Sequence, residues 1–249
     1  MTSLVVPMSN LTTNAERIAS CAEGNGEIDN AKKSIEDLIG ICSSPQFNTR
    51  EDWEKVASCR RSSLYAKEYP FGRVYTLKVL YDFPMNQLFN EHWSNIEFTP
   101  TYNKNALSVK RIGTISPEVD LIQYIVSDIC KMGQREFLMT RTWKKLGDSI
   151  FVALRSVGDE TCDLHPTAPR SIMILGGARL NRHPRDPMKT VVDYIVCLDF
   201  NDSEFTKEIT QFIISKFMME DVEYTQLQLD KVRQNARRTS KNAADTYVF

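Results

Sequence analysis

The most constraining feature of this sequence is a change of rhythm near residue 200. From Ser62 to Asp199 it reads as short apolar and β-branched runs broken by turn residues, and from Phe205 onward apolar residues recur at i, i+3 and i+4. The strand candidates are Ser62 to Tyr69, Arg73 to Leu80, Ala106 to Gly113, Asp120 to Ser127, Glu136 to Trp143, Ser149 to Ser156, Ser171 to Leu180 and Lys189 to Asp199. Short turns separate several of them: Pro70-Phe71-Gly72, Ser116-Pro117, and Lys144-Lys145-Leu146-Gly147-Asp148, where glycine is free to take a positive φ. Strands joined this way pair antiparallel, because a parallel pair needs a crossover of roughly a dozen residues or more. The expected fold class is α+β, a strongly curved antiparallel sheet with the long C-terminal helix over its concave face.

That helix is expected to open at Ser203, a candidate N-cap, with Thr206 in the place of a capping-box glutamate, and to run to about Val232. Phe205, Ile209, Phe212, Ile213 and Phe217 form its apolar stripe. Two further helices are expected. One spans Glu27 to Ile41, with Ile28, Ala31, Ile35, Leu38 and Ile39 at helical spacing and Pro45 barring its continuation. The other spans Pro84 to Trp93, with Met85, Leu88, Phe89 and His92 on one face. The basic segment Asn181 to Pro187 reads as a loop. Residues 1–26 read as a mobile tail and 233–249 as a basic, polar tail, leaving 27–232 as the folded domain.

Composition excludes several classes of function. A chain of 249 residues that is 42% hydrophobic can bury a core without disulfide staples. Its 31 basic and 32 acidic residues leave a net charge of −1, without the field that general nucleic-acid binding needs. No run approaches the ~18–20 consecutive apolar residues of a membrane span. Met1 to Asn14 lacks the basic-then-apolar order of a secretory signal, so a cytoplasmic protein is expected. Cys21, Cys42, Cys59, Cys130, Cys162 and Cys197 are scattered and read as free thiols. No glycine-rich phosphate cradle and no G-x-S-x-G elbow is present, so no cofactor is expected. His92, His165 and His183 are far apart, so neither a metal site nor catalytic residues are expected, and the chain is not read as an enzyme.

Several strings occur in a telling order. Arg135-Glu136-Phe137-Leu138-Met139-Thr140-Arg141 looks like R-D-F-V-x-x-R at the start of a central strand. Asp148 to Val157 looks like the following strand, and Met188-Lys189-Thr190-Val191-Val192-Asp193-Tyr194 like a later one, closed by Asp199. Trp93 stands after the second helix, followed by Ser94 where Asp or Asn is usual. From about Glu27 to Val232 the chain resembles the START family, the steroidogenic-acute-regulatory-related lipid transfer domains. The resemblance implies a helix-grip fold, in which the sheet wraps the long helix around a tunnel for one lipid. It also implies carriage of that lipid between membranes without chemistry, by a protein peripheral to them.

Alternation in Glu136 to Trp143 puts Phe137, Met139 and Arg141 on one face. An arginine there must be paired or hydrated, and a lipid pocket uses a few polar groups to orient a headgroup or hydroxyl. Arg141 is therefore the expected lipid-orienting residue, a pair with a strand carboxylate such as Asp193 being the other reading. In sterol-carrying relatives this arginine pairs with an acid on the preceding strand. Matching that strand as Leu121 to Ser127 leaves Gln123 or Ile125 there, with Asp120 or Asp128 in reach only on a slipped register. An unpaired arginine favours a phosphate, so a phospholipid or other polar lipid is expected over a sterol. Tyr124, Phe137, Met139, Met173, Phe212 and Phe217 are the expected lining, with ordinary core packing as the alternative, and Met218 and Met219 could add an adaptable lid. The basic residues Lys231, Arg233, Arg237, Arg238 and Lys241 could touch an anionic membrane, and Arg237-Arg238-Thr239-Ser240 resembles a kinase site. A monomer is expected. The alternative function is a START-fold interaction or lipid-sensor module without transfer.

Overall fold

Alternating sequence builds one sheet of nine antiparallel strands. In the computed structural model, which describes residues 25–128, 130–131, 133–158 and 167–245, the strands are β1 (Glu54–Ser58), β2 (Ser63–Tyr69), β3 (Gly72–Tyr81), β4 (Ala106–Ser116), β5 (Val119–Val126), β6 (Arg135–Leu146), β7 (Ser149–Ser156), β8 (Ile172–His183) and β9 (Asp186–Asp199). Their order is β1-β2-β3-β9-β8-β7-β6-β5-β4. Strands β4 to β9 follow one another as neighbours, and β9 then returns to β3, with Tyr75 opposite Val196 and Tyr81 opposite Thr190. The helices are α1 (Asn25–Ser43), α2 (Pro45–Thr49), α3 (Met85–Trp93) and α4 (Lys207–Asp245), with a 3-10 turn at Ile96–Thr101.

Both faces of this sheet are apolar because both are covered. On β7, Ile150, Val152 and Leu154 face the concave side with α4, while Phe151 and Ala153 face the convex side. On that convex side Ile35, Leu38, Ile41 and Cys42 of α1 pack on Phe151, Ala153, Leu175 and Ile195. A fully buried leucine such as Leu38 stabilises by roughly 1.5–3 kcal/mol. A buried ion cluster fastens the same side. Asp193 of β9, wholly buried, accepts hydrogen bonds from Arg50 at 3.1 Å and from Arg179 at 2.8 and 3.1 Å. Arg50 is the left-handed C-cap of α2 and lies 3.9 Å from the Phe47 ring centre, so one charge cluster positions α2 against β8 and β9.

The expected α+β class and the wrapped C-terminal helix are both present, with several differences in detail. β1 was not expected. It is a bulged, mostly exposed edge strand whose polar sequence carries no alternation. The stretch read as the loop Asn181 to Pro187 is a tight hairpin, because β8 continues to His183 and β9 begins at Asp186. α4 is capped by Thr206 rather than Ser203, the Thr206 hydroxyl accepting from the Ile209 N–H at 3.4 Å. It also continues past Val232 to Asp245, where a frayed tail was expected, since Ser203 to Asp245 contains neither glycine nor proline to stop it. The segment expected as a mobile tail lies almost entirely outside the described residues, as do His165 and the side chains of the Arg237 to Ser240 motif.

Gly177 marks the closest approach within the sheet. Its φ is +148°, and a Cβ added there would sit 2.1 Å from the Val152 carbonyl oxygen. Gly177→Ala is expected to cost about 3 kcal/mol or more in urea unfolding, because backbone rather than a flexible side chain must move. A loss under about 1 kcal/mol would show that β7 and β8 can part at this point.

Candidate functional site

The register of β5 on β6 sets Asp120 directly opposite Arg141. Both are buried on the concave face. Arg141 donates from Nε to Asp120 Oδ1 at 3.0 Å and from Nη2 to Asp120 Oδ2 at 2.6 Å. It also donates to the last carbonyls of α3, from Nη1 to His92 O and from Nη2 to Trp93 O, each at 2.9 Å. Cations belong at a helix C-terminus, whose carbonyls lack intrahelical partners. The guanidinium lies 4.0 Å from the Trp93 ring centre, and Arg111 of β4 adds a second cation to Asp120 at 3.1 Å.

This corrects the expectation that no acid faces Arg141. β5 begins at Val119, so Asp120 reaches its partner in ordinary register and not by a slip. Arg141 is spent on protein partners, and the argument from an unpaired arginine to a phosphate headgroup loses its basis. Asp193, the other partner considered, is engaged on the convex face.

Beside this knot the concave face is not filled. One apolar lobe of about 180 Å3 is lined by Tyr124, Val126, Phe137, Met139, Phe217 and Asp221 among others. A second, of about 240 Å3, is lined by Leu88, Phe89, His92, Arg141, Val152 and Tyr194 among others. Leu154, Met173 and Val196 line both, so the lobes adjoin. Together they reach the lower part of the roughly 300–1,000 Å3 range of small-molecule pockets. A third recess of about 260 Å3 lies between the 3-10 turn and α4, and shares His92 with the second lobe.

The few polar groups here have shifted protonation equilibria. Asp221 of α4 accepts from Asn103 Nδ2 at 2.9 Å and Asn105 Nδ2 at 2.8 Å, both at Oδ1. Burial pushes its carboxyl up to about 6, against the lowering effect of those two bonds. Burial and the neighbouring Asp221 charge hold the Tyr124 phenol well above its usual range. The Tyr81 and Tyr194 hydroxyls lie 3.2 Å apart. His92 is pushed down to about 4 by burial and by Arg141, and its Nε2 lacks a partner among the described residues. It is neutral at physiological pH.

Of the expected lining, Tyr124, Phe137, Met139 and Phe217 meet in the first lobe, Met173 lies between the lobes, and Arg141 borders the second. Phe212 is corrected: its side chain is 62% exposed. α4 turns Ile214, Phe217, Met218 and Asp221 inward, so the true stripe is rotated from the one that includes Ile209 and Phe212, both of which face outward. The sequence reading missed Asp221 and gave His92 no role in the chamber wall. The signal for Asp221 was present, an acid four residues after Phe217 on the inward stripe.

A curved antiparallel sheet gripping one long helix, with apolar lobes left on its concave face, defines a helix-grip protein. A family model for the START domain matches residues 47–234. Steroidogenic acute regulatory-like protein 1 of Caenorhabditis elegans is 26% identical over 208 residues, 83% of this chain and 78% of that protein. Human StAR-related lipid transfer protein 5 superposes with a TM-score of 0.71 at 12% identity, over 83% of this chain and 98% of that chain. Human STARD10 superposes at 0.64 and 16% identity, over 82% of each chain. The chain belongs to the START domain family. Among the described residues no helix is long and apolar enough to cross a membrane.

Two outcomes follow from these charges. Arg141→Met leaves Asp120 buried with Arg111 alone and is expected to cost about 3–5 kcal/mol. Adding Asp120→Leu should restore most of that loss in urea unfolding; a double variant no more stable than the single would contradict the pairing. For Asp221, the folded state holds a proton between about 4 and 6 that the unfolded chain releases. Its contribution to stability therefore falls as pH rises through that window. Asp221→Asn keeps the acceptor for both asparagines, so it should be more stable than the parent at pH 8, by up to roughly 3 kcal/mol, with the gap closing toward pH 4.5. A gap that widens on acidification would count against this assignment.

Proposed function

We propose that this protein encloses one lipid in the two-lobed chamber and carries it between membranes without chemistry, as a cytosolic monomer that touches membranes peripherally. The observation that carries the reading is the pair of adjoining apolar lobes, one between the sheet and α4 and one between the sheet and α3, bordered by a small set of polar groups. That composition suits a molecule with a large apolar body and a small polar end. The names of relatives that include lipid transfer point the same way. With Arg141 closed onto Asp120, the preference for a phospholipid over a sterol is withdrawn, and a neutral lipid with a compact head fits the polar groups better.

The recess between the 3-10 turn and α4 is the proposed mouth. Phe98 and Leu227, 64% and 56% exposed, belong to the two elements that flank it and would meet the membrane first. Native mass spectrometry of protein purified from cells is expected to show one bound lipid mass, and the protein should move labelled lipid between vesicles. Protein that stays empty after incubation with mixed vesicles and transfers nothing would replace the carrier with an interaction or sensor module.

A further inference from the structure

Asp221 and Tyr124 approach the first lobe from opposite walls, one on α4 and one on β5. Asp221 uses only Oδ1 for Asn103 and Asn105, and no cation among the described residues pairs with it. Its other oxygen receives no hydrogen bond from the described residues, and the residue borders the open lobe. The Tyr124 phenol likewise makes no hydrogen bond to the described residues and borders the same lobe. A carboxylate oxygen that only accepts and a phenol that can donate, set in an otherwise apolar wall, are an incomplete hydrogen-bonding pair. Left unmade, such bonds are costly in an apolar surrounding.

We propose that Asp221 and Tyr124 form a polar subsite that receives one hydroxyl group of the bound lipid. The hydroxyl donates to the free oxygen of Asp221 and accepts from the Tyr124 phenol. This combination selects an alcohol by its chemistry: an ether or ketone can only accept, and an ammonium can only donate. Asn103 and Asn105 act as positioning residues, holding the Asp221 carboxylate by its other oxygen and fixing which edge is free. Arg141 has no part in the subsite, its donors being turned to Asp120 and the end of α3. The inference rests on the carrier reading and adds to it the group that the chamber recognises.

The test is displacement of a bound hydrophobic dye, 1,8-ANS, by matched pairs of probes at pH 8. One pair is cholesterol and its 3-methyl ether; the other is hexadecanol and hexadecyl methyl ether. The parent protein should bind at least one alcohol about tenfold or more better than its ether, because a site built for a hydroxyl discriminates strongly against the analogue lacking it. The pair that shows the difference identifies a sterol or a linear-chain source of the hydroxyl. Asp221→Leu should reduce the ratio to about threefold or less, because only the alcohol can donate to that carboxylate, whereas Tyr124→Phe should weaken alcohol and ether alike by about threefold or more, because both can accept from the phenol. Tyr124→Phe removes one oxygen only, so it tests the subsite even where Asp221→Leu does not fold. Equal affinity for alcohol and ether in the parent overturns the subsite and leaves the carrier reading standing, as does an alcohol affinity that Tyr124→Phe leaves unchanged. Failure of every probe to displace the dye or to bind overturns the carrier reading and this inference together.

Discussion

The pairing of Arg141 with Asp120 is the interaction on which the rest of the concave face depends. One buried guanidinium joins β5 and β6 and closes the C-terminus of α3, and Arg111 brings in β4. Burying an ion pair carries a desolvation cost of several kcal/mol per ion, which the Coulomb attraction repays only with good geometry and satisfied donors. Here the geometry is bidentate and the remaining donors meet helix carbonyls and an aromatic face. The return is positional. With the end of α3 fixed, Leu88, Phe89 and His92 become a wall of the second lobe instead of collapsing onto the sheet.

The two faces of the sheet solve opposite problems with the same means. On the convex side Asp193 is surrounded by Arg50 and Arg179, and α1 fills the space around them with side chains. On the concave side the charges of Arg141 and Asp120 are satisfied as fully, yet the apolar space beside them stays open. At ~24 cal/mol per Å3, open lobes of about 180 and 240 Å3 cost on the order of 4–6 kcal/mol each in lost packing. A molecule that fills them restores those contacts, so occupancy and stability are coupled by mass action.

Membership of the START family and the observed sheet and helix agree on the fold, and the polar groups of the concave face are the part that distinguishes this chain. They divide into two kinds. Arg141 and Asp120 are saturated by protein partners, Arg111 among them, and act as a frame. Asp221 and Tyr124 retain free capacity and face the first lobe. A frame of satisfied charges tolerates an apolar guest, whereas groups with free capacity discriminate between guests. Tyr124 and Asp221 sit on separate elements, β5 and α4, so the proposed subsite exists only while α4 is docked against the sheet.

The amino-acid sequence alone determined the class of this fold. Alternating runs joined by tight turns can pair only antiparallel, and one long helical stripe must lie against the sheet they form. Local patterning also put Phe137, Met139 and Arg141 on the inner face, since alternation in a strand is a property of the chain itself. What faces Arg141 was decided by tertiary structure, because register comes from pairing between strands, and the pairing of β5 with β6 sets Asp120 opposite it. The same holds for Phe212 and Asp221. A helical stripe wide enough to choose from is rotated by packing, which turned the phenylalanine to solvent and the acid toward the chamber. The open space itself is invisible in the sequence, for a cavity is a relation among side chains from β5 to β9, α3 and α4 that no local stretch encodes.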